Sequence, residues 1–229
     1  MKHMLAIVLA FGPLLRLARA QPAAVAMQVP GSAPTSAFDD DLGEVRRKIL
    51  SQRLVMHLVM LYQKTMQNVA KGNYLGAKND IDAVMGEQGV APEDRIEMIG
   101  ERGMMEAAAG DIASAGPDLD IGIKALEGKA LDSDETILLK NLRMLKGKVL
   151  SQQGRLQEAL REEDRAVALD PKYAMPHFFR GLFLLKLGRS NEAVRSYERA
   201  VALDPAAVKK MNACDEFRAV GQVPPSCGV

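Results

Sequence analysis

The chain has 229 residues, 30 basic and 29 acidic, with no tryptophan and a mean hydropathy near zero at −0.07. A balance so even gives no electrostatic footprint for nucleic acid or an anionic membrane surface, so neither is expected as a partner. With 48% apolar residues it is rich enough to bury a core of its own.

Residues 1–20 read as an export signal. Lys2 gives the positive start, Met4–Leu15 a short apolar core, and Ala18-Arg19-Ala20 a small-x-small cleavage site. The apolar core is shorter than the about twenty residues a membrane span needs, so no integral span is expected in the mature chain. The signal holds three of the basic residues and none of the acidic ones, leaving the mature chain at a formal −2. The expected location is outside the cytoplasm, periplasmic or secreted. Residues 21–40, with Pro22, Pro30, Gly31, Ser32, Pro34 and Ser36, have the composition of a flexible linker.

A helical pattern follows from about Leu42 to Lys71, with Asp39–Asp41 at its start, where the helix dipole favours negative charge. It stops at Gly72-Asn73, and Tyr74–Val84 reads as its partner helix. These make a degenerate first unit over 58–91, with 41–57 left as a cap or half-unit. Pro92 opens the next helix in its permitted first turn. That helix runs to Gly110 and begins a second unit, 92–131. Pro117 lies inside its second helix, which is therefore expected to be short, kinked or late in starting. Asp132, with Glu135 three residues on, forms a capping-box start for the helix after it.

From here the chain repeats itself. Gly147–Pro171, shifted by thirty-four residues, lies on Gly181–Pro205 with fourteen of twenty-five positions identical, including Arg155/Arg189, Glu158/Glu192 and the closing Ala-Val-Ala-Leu-Asp-Pro. Each copy carries two apolar, helix-period segments broken by Gly154 or Gly188 and ended by Pro171 or Pro205. Small residues fall where the two helices must cross: Gly147 and Gly181 on the first, Ala159 and Ala193 on the second. A lone hairpin of this kind cannot bury its apolar face, so the units (58–91, 92–131, 140–173, 174–207) must stack into an all-α solenoid over 41–220. A capping helix over 206–220 and a tail, 221–229, complete it.

The pattern resembles the tetratricopeptide repeat. Gly181, Leu184, Ala193, Tyr197 and Ala200 fall on its motif positions, as do Gly147, Leu150, Ala159 and Ala166. The departures are His177 or Arg143 for the tryptophan, Arg180 or Lys146 for the leucine beside the glycine, and Glu163 for the second aromatic. The resemblance implies a concave groove lined by the first helix of each unit. It places Met175, Phe178, Leu182, Leu185 and Lys186 there in the last unit, and Asn141, Met144, Lys148, Ser151 and Gln152 in the third. Tyr62, Met66 and Met104 would face the same way. The implied partner is a protein or peptide segment, with a second copy of the chain as the alternative occupant.

Nothing in the sequence points to catalysis or a cofactor. There is no nucleophile elbow, no His-Glu-x-x-His and no phosphate-cradling glycine loop. Met56, His57 and Met60 could in principle take a soft cation, but the thirteen methionines are scattered along the chain and read as packing, with no metal site. Cys214 and Cys227, thirteen apart, are the only cysteines and read as a structural disulfide in an oxidising compartment.

Overall fold

A computed structural model describes residues 57, 60, 61, 63–87, 90 and 92–227. The expected signal, linker, N-terminal cap (41–56) and Tyr62 lie outside these. The described residues form α1 (63–70), α2 (Tyr74–Gly86), α3 (Pro92–Ala109), α4 (Ile112–Leu126), α5 (Ser133–Gln152), α6 (Leu156–Leu169), α7 (Ala174–Lys186), α8 (Ser190–Leu203), α9 (Pro205–Met211) and α10 (Cys214–Ala219), then a 3-10 turn over Pro225–Cys227. No strand occurs among them. Consecutive helices pair, α3 with α4, α5 with α6 and α7 with α8, and each hairpin packs on the next; α1 is tied to α2 by Lys64 and Asn68, which both donate to Asp80.

Each hairpin crosses at a small residue. Ala77, Ala115, Ala159 and Ala193 are fully buried, each twelve residues after Thr65, Gly103, Gly147 or Gly181 on the preceding helix. A Cβ added to Gly181 would lie 3.2 Å from the Ala193 carbonyl oxygen, and one on Gly103 would lie 2.9 Å from the Leu119 nitrogen. No side chain fits between those backbones. The turns inside the two clear units need φ of +78° at Gly154 and +74° at Gly188, angles that an L side chain resists. Each clear unit closes at Asp-Pro, where the proline removes a helix donor.

The residue just before each crossing point is a cation, and in the second, third and fourth hairpins it binds a carboxylate on the hairpin before. Arg102 reaches Asp82 at 3.2 Å, Lys146 reaches Asp120 at 2.7 Å and Arg180 reaches Asp164 at 2.7 Å. Arg102 also holds Asp118 of its own hairpin at 2.6 Å, and Lys64, the first of the series, holds Asp80 of its own at 2.6 Å. The acids that join hairpins, Asp82, Asp120 and Asp164, each lie five residues after a buried alanine. The departures from leucine at Lys146 and Arg180 are thus a ladder of ion pairs joining successive units. Each pair is partly exposed, so each contributes only about 0.2–1 kcal/mol and the ladder chiefly sets register. The bulk of the stability lies in two hydrophobic clusters, one spanning α1–α5 and one spanning α5–α10.

Two expectations need correction. The helix carrying Pro117 is neither short nor late: it starts at Ile112, capped by Asp111 accepting from the Ser114 N–H at 3.2 Å, and runs fifteen residues. Proline in its second turn forfeits a single bond, to the Ala113 carbonyl. The capping box expected at Asp132 and Glu135 is present in full, and it starts the following helix at Ser133. The single capping helix expected over 206–220 is two. Asn212 takes the left-handed conformation at φ +48°, ends α9, and lets α10 fold back so that Phe217 reaches Tyr197, ring centroids 4.9 Å apart.

Candidate interaction surfaces

Most of the apolar side chains expected to line a groove are in the core. Met104, Met144, Met175, Phe178 and Leu185 are buried. Phe178 is 1% exposed, its ring edge-on to Phe179 at 5.3 Å and tilted against Tyr197 at 6.1 Å. The reason is local: α9 and α10 bring Val208, Ala213 and Phe217 into the cluster around Tyr197, Met175 and Phe178. Met66 and Leu182 are half-buried against the clusters, and Asn141 is buried. What remains toward solvent at the expected positions is polar: Lys148 and Ser151, half-buried, and Gln152 and Lys186, exposed. Burial lowers the Lys148 pKa, since no counter-charge among the described residues pairs with its ammonium.

Apolar surface is exposed instead where α3 begins and α4 ends. Ile96 and Ile121 are 41% and 42% exposed. With Lys124, Ala125 and Lys129 they line an open cleft of about 360 Å³. The helix period explains it: Ile121, Lys124 and Ala125 share one face of α4, and Lys129 follows the turn at Gly128. Neither lysine has an ion pair among the described residues. The cleft thus presents an apolar floor between two positive charges, which sequence reading missed because Ile96 and Ile121 look like ordinary core residues.

The remaining polar contacts serve structure. Arg143, at the motif's tryptophan position, joins Glu127 at the end of α4 to Glu162 on α6. Lys140 binds Asp170 at 2.8 Å and lies 4.0 Å from the centre of the Tyr173 ring. His177 Nε2 sits 3.1 Å from the Pro171 carbonyl, and His57 lies 3.0 Å from Glu87. Among the described residues no three His, Cys, Asp or Glu side chains form a metal-binding group, and no helix is long and apolar enough to cross a membrane. Cys214 and Cys227 are joined in a disulfide.

With this geometry in hand, residues 174–207 match the family model of the tetratricopeptide repeat. The described residues fold as an all-α solenoid of stacked helical hairpins, and the matched repeat is the fourth of these. Among solved structures, "MamA MSR-1 C2" is similar at 18% sequence identity with a TM-score of 0.48, over 74% of this chain and 92% of that one. No curated protein matches the chain. Tetratricopeptide hairpins are scaffolds reused for many tasks, so the surface, not the fold, carries the functional argument.

Proposed function

We propose that the protein is a non-catalytic scaffold that binds protein segments, and that an apolar segment flanked by acidic residues docks in the cleft formed by Ile96, Ile121 and Ala125. The observation that carries this is the exposure of two isoleucines side by side, between Lys124 and Lys129. Large apolar side chains clustered in a concavity mark a recognition surface more often than isolated ones do. The lysines supply a charge preference and orient the partner. Export to the periplasm or beyond belongs to the same proposal and rests on residues 1–20.

A photo-crosslinking residue placed at Ala125, and in a second protein at Gln152 on the expected inner face, tests the docking site in cells. Partner captured from position 125, and lost with Ile121→Asp, supports the cleft. Partner captured only from position 152 moves the site to the polar positions Lys148, Ser151, Gln152 and Lys186. N-terminal sequencing of the mature protein tests export, with Gln21 the expected first residue.

A further inference from the structure

α3 and α4 touch backbone to backbone at Gly100 and Gly122, where a Cβ added to Gly122 would lie 2.5 Å from the Gly100 Cα. Toward the start of α3 and the end of α4, beside that contact, lies the cleft of Ile96, Ile121, Lys124, Ala125 and Lys129. The chain before His57 leads to the same place. His57 lies 3.0 Å from Glu87, and Arg95 donates to the Glu87 carbonyl at 2.9 Å. Ile96 is the next residue. Val45 is twelve residues before His57, a span of about 18 Å as helix and up to about 40 Å as extended chain. Residues 38–45, which lie outside the described residues, are thus tethered within reach of the cleft.

Their composition complements it. Residues 21–45 hold four acids, Asp39, Asp40, Asp41 and Glu44, and no base. Phe38 is the one aromatic between residues 12 and 61. Phe38, Leu42 and Val45 recur at the four- and three-residue spacing by which one helical face presents its side chains, with the acids between them. An apolar row edged by negative charge is the counterpart of two isoleucines between two lysines.

We propose that residues 38–45 are the resident occupant of this cleft, a tethered mimic that a partner segment must displace. The proposal rests on the cleft being the docking site. A tethered segment meets its site at an effective concentration on the order of millimolar, so binding at roughly 100 µM leaves it about nine-tenths docked. A free partner then binds with about a tenth of its intrinsic affinity.

The test uses the purified mature chain with the photo-crosslinking residue at position 125. Irradiation at low protein concentration should join position 125 to a peptide containing residues 38–45, read by mass after digestion. Lys124→Glu with Lys129→Glu should abolish that product. Adding Asp39→Lys, Asp40→Lys and Asp41→Lys should restore it, because both sides have then exchanged sign. A role in folding alone cannot give that rescue. In cells, Phe38→Ser with Leu42→Ser should raise partner capture from position 125 about tenfold. Products that join two chains, that map outside residues 38–45, or that survive Lys124→Glu with Lys129→Glu overturn the proposal. Partner captured in cells without a 38–45 product leaves the cleft a docking site and overturns only its resident occupant. A 38–45 product with no partner captured from the Phe38→Ser, Leu42→Ser chain overturns the docking reading and, with it, displacement.

Discussion

The third and fourth hairpins share a backbone and disagree about what fills it. Their turns repeat within a few degrees, Arg155 at φ −85°, ψ 56° against Arg189 at −87°, 57°, and Asp170 at −149°, 89° against Asp204 at −149°, 86°. Both second helices open with the same surface clamp, Arg155 to Glu158 and Arg189 to Glu192. Yet the interior of the fourth is aromatic, Phe178, Tyr197 and Phe217 in tilted contact, while the third holds Lys140, Arg143 and a buried Glu163. The shared residues are the ones that fix backbone angles and close approach. Side chains beyond that set are free to differ, provided they fill the space and satisfy their polar atoms.

If the fourth hairpin is the apolar anchor, truncating its centre should cost most. Phe178→Ala should destabilise by roughly 3–5 kcal/mol, the range for deleting a buried aromatic, read as a lowered urea midpoint. It should leave partner capture at Ala125 unchanged under conditions where the variant is folded. Loss of partner with no loss of stability would return Phe178 to a groove. Next in size is the disulfide: Cys214→Ser with Cys227→Ser opens a loop of thirteen residues and should cost about 3 kcal/mol. Its loss should be felt as earlier exchange of amides in α9 and α10 than in α5 and α6.

What could be read from the letters follows the same division. Gly147, Gly181, Ala159, Ala193 and the Asp-Pro ends announce themselves because backbone constraints leave few residue choices. The capping box at Asp132 and the disulfide belong to the same class. Burial of Phe178 and Met175 was not legible, since it depends on Asn212 turning α10 back over them, and nothing in an amphipathic run from 206 to 220 marks that break. The ion-pair ladder was legible in principle. Lys64, Arg102, Lys146 and Arg180 each precede the crossing position, and Asp82, Asp120, Asp164 and Glu198 each follow an alanine by five. Read as departures from a motif, Lys146 and Arg180 hid the pairing that reading all four units together displays.

In the third hairpin the corresponding tests address polar packing. Arg143→Met removes both hydrogen-bonded contacts, to Glu162 and Glu127, and should cost roughly 2 kcal/mol. That is less than the roughly 3–5 kcal/mol for breaking a fully buried pair, because Glu127 is half exposed and rehydrates. His177→Met, at the equivalent place in the fourth hairpin, should change the urea midpoint far less. Equal effects would mean that the two interiors are not different in kind.

Glu163 gives the smallest effect at low pH and the most informative pH dependence. It takes the place that Tyr197 holds in the fourth hairpin, and neither of its carboxyl oxygens has a hydrogen-bond partner. A Cβ on Gly147 would lie 2.6 Å from its Oε1, so the glycine makes the space it occupies. Burial pushes its carboxyl well above the usual range, and the neighbouring acids Glu162 and Asp164 on its own helix push the same way. Tyr173, from the turn leading into α7, also faces it; burial first, then the charges of Asp170, Glu163 and Asp204, raise that phenol. Lys140 of α5 is already engaged by Asp170 and the Tyr173 ring and offers Glu163 no bond. A group whose pKa is raised by folding adds stability that is complete below its unfolded value and is lost as pH climbs through the folded one. Glu106 acts in the same sense, pushed up to about 7 by burial and then by the Asp118 carboxylate. The chain should therefore weaken as pH rises above the ordinary carboxylate range. Glu163→Gln, which stays neutral, should nearly match the parent's urea midpoint at low pH and exceed it increasingly as pH rises. A difference that stays flat across pH would mean that water or a rotated side chain already solvates the carboxylate. The two hairpins would then differ only in shape, not in charge.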